Sequence, residues 1–181
     1  MSNAMDTNDA PAPQAPRLLL IGLKWGLLLG LALSICQGLQ MGFGAMRATW
    51  WQTAIQWLAY ALLIYFGIRA YRARTMAGLT FGRAVKVGFV ITCWASLVCL
   101  VLLYVGSAYV FPEYLTGVKE AGKLALENTP VSGDAAEHLG AVIIDTMFRP
   151  SVWSLGQALN VLLTGLIFTI LASIFLRQES R

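Results

Sequence analysis

Apolar residues run along this chain in four blocks, each too long to be only the buried face of a soluble helix. The blocks cover roughly residues 17–41, 50–68, 84–111 and 150–176, and polar residues interrupt them sparsely. A bilayer hydrocarbon core of about 30 Å is crossed by about 20 helical residues, so each block predicts one transmembrane helix. None alternates apolar and polar positions over the roughly ten residues that a barrel strand needs. The expected fold class is an all-α membrane protein with four spans.

Between the third and fourth blocks the pattern changes. In "PEYLTGVKEAGKLALEN", Leu115, Val118, Ala121 and Ala125 share one helical side, while Glu113, Glu120 and Glu127 recur on a polar side. That periodicity predicts an amphipathic helix, with Pro112 suited to its first turn. "TPVSGD" breaks it. Asp134, followed three residues later by Glu137, then resembles a capping box for a second helix, whose apolar side is Leu139, Val142, Ile143 and Met147. Residues 112–149 thus predict a short helical segment that lies on the membrane surface or caps the bundle. At the ends, residues 1–16 read as an expression scar followed by a Pro- and Ala-rich disordered tail, and 177–181 as a short polar tail. The transmembrane domain is expected over 17–176.

Composition agrees with the pattern. The chain is 57% hydrophobic and 12% charged, about half the roughly 25% charge that a soluble domain carries. The formal net charge of +4 does not make nucleic acid a plausible partner, because the cations cluster between apolar spans. Five of them, Arg69, Arg72, Arg74, Arg83 and Lys86, fall between or beside spans two and three with no acid among them. Lys and Arg are retained on the cytoplasmic side, so this connection is expected in the cytoplasm with both termini. The segment 112–149, with six acids against three cations, is expected outside. The location that follows is an inner membrane, crossed several times. Trp50, Trp51, Tyr109, Phe111 and Trp153 sit at span ends, as interfacial aromatics do.

The order of elements, together with Tyr71-Arg72, Gly78, Phe81-Gly82, Lys86 with Gly88, and Pro112-Glu113-Tyr114, resembles the bacterial domain-of-unknown-function family 4199. The resemblance extends over nearly the whole chain from about Arg17. It implies a small four-span inner-membrane protein and carries no activity and no catalytic residues.

Within the spans the sharpest pattern is a ladder of small residues at every fourth position. Span one carries Gly22, Gly26, Gly30, Ser34, Gly38 and Gly42; span three carries Ala84, Gly88, Thr92 and Ser96. Such ladders let helix backbones approach closely in lipid. Gly22, Gly26, Gly30, Ser34, Gly88 and Ser96 are therefore expected to be helix-packing residues, with span one crossing span three or its own copy. The two ladders coincide at an offset of 62 residues, which suggests two tandem hairpins related by a pseudo-twofold along the membrane normal.

Candidate chemistry is sparse. No Asp or Glu lies within a span, whereas proton-coupled transport usually requires an intramembrane carboxylate. Buried polarity is of the amide type. Gln37, Gln56, Gln157 and Asn160, with Gln40 and Gln52, fall in the half of the membrane near segment 112–149. They predict either interhelical hydrogen bonds or an outward-facing polar cavity that holds a ligand. Lys24, Arg69, Arg72, Arg74, Arg83 and Lys86 are expected to snorkel and contact lipid headgroups. His138 is the sole histidine, and Cys36, Cys93 and Cys99 lack metal spacing. No catalytic residue, metal site or cofactor is expected. The expected function is that of a non-enzymatic structural or interaction protein or accessory subunit. Its partners would be the bilayer and either a second copy or another membrane protein. The alternative is a small transporter or channel that uses the outer amides.

Overall fold

A computed structural model describes residues 15–43, 50–74, 80–127 and 134–178. Among them the fold is all-α: α1 (Ala15–Phe43), α2 (Trp50–Arg72), α3 (Phe81–Val105), α4 (Pro112–Glu127), α5 (Asp134–Met147) and α6 (Pro150–Gln178). Helices α1, α2, α3 and α6 are the four that are long and apolar enough to cross a membrane. The protein is thus a multi-pass membrane protein of the class its apolar pattern predicts. Segments 44–49, 75–79 and 128–133 and both extreme ends, with Arg47, Gly78 and most of the expected N-terminal tail, lie outside the described residues.

Helix boundaries move by a few residues from those the apolar blocks suggest. Helix α1 begins at Ala15, inside the expected tail, with Pro16 in its first turn, where a missing N–H costs nothing. Helix α2 continues past 68 to Arg72, with Arg69 and Arg72 in its last turn, beside the partial negative charge of a helix C-terminus. Helix α3 starts at Phe81 behind an extended Thr80, φ −74° and ψ 149°. Helix α6 runs on through Gln178 into the expected C-terminal tail. In each case the helix runs beyond the apolar block because backbone hydrogen bonding does not stop at the hydrocarbon edge.

Helix α3 is the hub. It packs against α1 and α6 over long contacts and touches α2, which also leans on α1 and α6. Leu29, Ile64, Ile68, Val87, Ile91 and Leu176 are fully buried where the four meet. Tyr60 and Phe168 stack with ring centroids 5.6 Å apart, joining α2 to α6. The other faces are covered with exposed Leu, Ile, Phe and Trp, as expected of surfaces meeting lipid.

The end of α3 loosens into a π-helical turn, Gly106–Val110, closed by Phe111 N donating to the Gly106 carbonyl at 2.8 Å. The chain then turns into α4. Helices α4 and α5 pair through Gly122 against Ile144, Gly140 against Leu126, and a Lys123–Asp145 ion pair of 3.3 Å. Tyr114 docks edge-on to Trp153, centroids 6.1 Å apart, tying α4 to α6; burial raises its phenol pKa above the ordinary value. Trp153 and Phe111 are therefore partly withdrawn from the interfacial role expected of them, Phe111 lying against Gly42. Trp50, Trp51 and Tyr109 remain exposed. On α5, Leu139, Val142, Ile143 and Met147 are all exposed, so the helix turns its apolar side away from the bundle.

Candidate functional site

The close approach of α1 to α3 is made by its glycines. A Cβ at Gly26 would sit 2.5 Å from Trp94 Cβ and 2.7 Å from the Ile91 carbonyl oxygen; at Gly30 it would sit 2.7 Å from Val98 Cβ and 2.9 Å from the Ala95 oxygen. At Gly22 it would collide with Val90. Ser34 continues the row: its hydroxyl donates to Cys99 Sγ at 3.5 Å, and Cys99 donates to the Gly30 carbonyl at 3.4 Å. The seam ends there. Among the described residues nothing lies within 4 Å of a Cβ at Gly38.

The ladder on α3 points elsewhere. Gly88 packs against Thr169 and Thr92 against Gly165, while Ser96 Oγ donates to the Ala158 carbonyl at 2.8 Å. These partners all belong to α6. A twofold relating two like hairpins would turn the α3 ladder back onto α1; here α1 closes on α3, and α3 closes on α6. The reason is composition. Helix α6 offers Gly165, Thr169 and Ser173 at the matching spacing, whereas α2 presents Ile64 and Ile68 at full burial and only Gly67 nearby.

The six amides toward the α4–α5 end separate into two bridges and two lone residues. Gln37 Nε2 donates to Gln157 Oε1 at 3.1 Å, joining α1 to α6. Gln40 Nε2 donates to Gln52 Oε1 at 3.3 Å, joining α1 to α2. Gln56 is half-buried and belongs to neither bridge. Asn160 is exposed on α6, its Oδ1 accepting from Thr164 of the same helix at 3.4 Å. Of the four predicted ligand residues, then, only Gln37 and Gln157 come together. Gln37 Oε1 is buried with no hydrogen-bond partner among the described residues.

At the opposite end, a cleft of about 260 Å³ opens between α1 and α2, lined by Leu20, Ile21, Lys24, Trp25, Ala70 and Arg74. It gathers two of the six predicted headgroup residues. Arg69, Arg83 and Lys86 are exposed elsewhere at this end, and Arg72 is half-buried. His138 is exposed on α5.

The profile of the family described as "Protein of unknown function (DUF4199)" matches residues 24–178. The chain belongs to the DUF4199 family. No curated protein and no solved structure matches it. The matched span of this DUF4199 protein begins at Lys24 and reaches the end of α6, so it takes in the seam from Gly26 onward, the amides and most of the cleft lining.

One packing feature of the DUF4199 bundle was not anticipated from the sequence: the polar row of α6. Thr169 and Ser173 are fully buried, Ser173 Oγ donating to the Thr169 carbonyl at 2.7 Å. Its signal was present, since Gly165, Thr169 and Ser173 recur at every fourth position, as in span one.

Proposed function

We propose that this DUF4199 protein is a non-enzymatic interaction protein of a bacterial inner membrane, that both its termini face the cytoplasm, and that it works as a self-assembled oligomer. The orientation rests on the cation-rich α2–α3 connection. The assembly rests on one observation, the outward placement of Asn160. This residue sits well inside the α6 span on a face shared with exposed Leu159 and Leu163. Its two amide N–H donors have no partner among the described residues. Leaving them in hydrocarbon costs several kcal/mol. A carboxamide both donates and accepts, so it is its own complement. A second copy related by a twofold along the membrane normal presents Asn160 at the same depth. Gly156, one turn away, has no described residue within 4 Å of where a Cβ would stand, so two α6 backbones can approach there.

The test is disulfide trapping in native membranes. With Cys36 and Cys93 replaced by Ala and the buried Cys99 left in place, Asn160→Cys should yield a covalent dimer on mild oxidation. Leu62→Cys, exposed in the span of α2, should not. Equal trapping at both positions would remove the self-assembly reading, and an adduct of Asn160→Cys with a different protein would replace it with a heteromeric one.

A second reading, a small transporter or channel, draws on the buried Gln37 acceptor that has no partner among the described residues, a place where a ligand or water donor fits. In that case Gln157→Leu should abolish transport or ligand binding and leave the protein monodisperse. Loss of monodispersity would make the Gln37–Gln157 bridge structural.

A further inference from the structure

We propose that the cleft between α1 and α2 is a binding site for the phosphate of an anionic phospholipid. Lys24 and Arg74 contact the phosphate, and Leu20, Ile21, Trp25 and Ala70 seat the adjoining glycerol and acyl chain.

Three observations converge on this. The first is charge without an internal counter-charge. From Arg17 to Phe111 the chain contains no Asp or Glu, so neither Lys24 nor Arg74 can find an acid on α1, α2 or α3. With four spans, both termini share this end with the α2–α3 connection. The end then holds nine of the thirteen cations and three of the nine acids, Asp6, Asp9 and Glu179, all outside the described residues. The balance calls for anions from outside the chain.

The second observation is depth. Lys24 lies six residues past Leu18, where the apolar window of α1 begins, or roughly 9 Å along the helix axis. An ammonium there must reach toward the interface or meet an anion drawn into the cleft. Arg74 lies just beyond the end of α2, so the two cations come from different depths and different helices. A phosphodiester at the headgroup level is placed between them; a soluble anion would have to descend into the apolar edge.

The third is the floor. Apart from the two cations, every lining residue is apolar or aromatic. A free phosphate has no use for such a surface. A lipid phosphate carries hydrocarbon that does.

The decisive measurement is native mass spectrometry of the full chain released from mild detergent. It would be titrated separately with phosphatidylglycerol, phosphatidylcholine and inorganic phosphate. Wild type should bind phosphatidylglycerol in preference to phosphatidylcholine. The double variant Lys24→Gln/Arg74→Gln should lose about tenfold or more in that affinity, as expected when two direct charge-assisted hydrogen bonds to the phosphate are removed. Arg83→Gln/Lys86→Gln removes the same charge from the same end and should change it far less. Equal losses in the two double variants would reduce the site to general surface attraction and overturn the proposal. Displacement of the lipid by millimolar inorganic phosphate would also overturn it, since the site would then be one for free anions. Ala70→Phe fills the cleft and keeps both cations, so it carries the test should the double variant not stay monodisperse. It should reproduce the loss of phosphatidylglycerol, and undiminished binding would refute the proposal.

Discussion

Gly26 leaves α1 no tolerance for a side chain, because two of the atoms that a Cβ would meet, the Ile91 oxygen and the Ala95 nitrogen, are backbone and cannot rotate aside. A Cβ at Gly38, three turns on, would have nothing within 4 Å among the described residues. The two positions therefore respond to the same substitution with opposite sign. Gly38→Ala should raise thermal stability in detergent, by up to about 1 kcal/mol from helix propensity. Gly26→Ala should lower it despite that gain, and Gly26→Leu further, by about 1–3 kcal/mol or more of overpacking. Leu28→Ile and Leu31→Ile, on exposed positions, serve as controls. Equal melting temperatures for Gly26→Ala and Gly38→Ala would mean that the seam is not held this closely. Thr169 gives a second prediction. Its hydroxyl is buried with no hydrogen-bond partner among the described residues, while its side chain fills the space over Gly88. Thr169→Val keeps the shape and removes the unmatched group, so the melting temperature should hold or rise. A clear fall would reveal a partner for the hydroxyl in the membrane.

Outside the four spans, helix α5 is the element whose surface is least like that of a water-soluble helix. Its four predicted apolar residues are each about half exposed or more, with Leu139 at 61% and Met147 at 60%, while Ile144 and Gly140 make the contact with α4. A helix so arranged shields its apolar side by lying in the bilayer interface. A polarity-sensitive dye on Ile143→Cys should therefore shift to the blue when the protein is moved from detergent into lipid nanodiscs. The same dye on His138→Cys, which is exposed about 140° around the helix from Ile143, should shift less. Matching shifts at the two positions would place α5 away from the membrane.

For the molecule as a whole, the expected orientation gives one test that no single helix can supply. Thr75 lies in the connection between α2 and α3, and Thr129 in that between α4 and α5. Single cysteines there should face opposite sides of the membrane. In intact cells an impermeant maleimide should label Thr129→Cys and leave Thr75→Cys unreacted until the membrane is opened. Labelling of Thr75→Cys in intact cells would invert the topology, and the lipid cleft would then face the other leaflet.

The all-α class, the four spans and the family were legible in the sequence because each depends on local properties. A bilayer requires a run of apolar residues and satisfied backbone hydrogen bonds, and both can be counted along the chain. Partner choice could not be counted. The ladders on α1 and α3 have the same spacing and the same residue types, yet one closes on α3 and the other on α6. An i, i+4 row of small residues says that a face can approach another helix; it does not say which. Gln157 and Asn160 differ by less than one helical turn and were grouped as one cluster, but the first reaches Gln37 across the bundle and the second faces outward. The same limit hid the cleft, whose lining joins residues 20–25 to residues 70–74. Those residues become neighbours only when α1 and α2 are packed side by side. That packing follows from how four helices share one α3, and no stretch of sequence contains it.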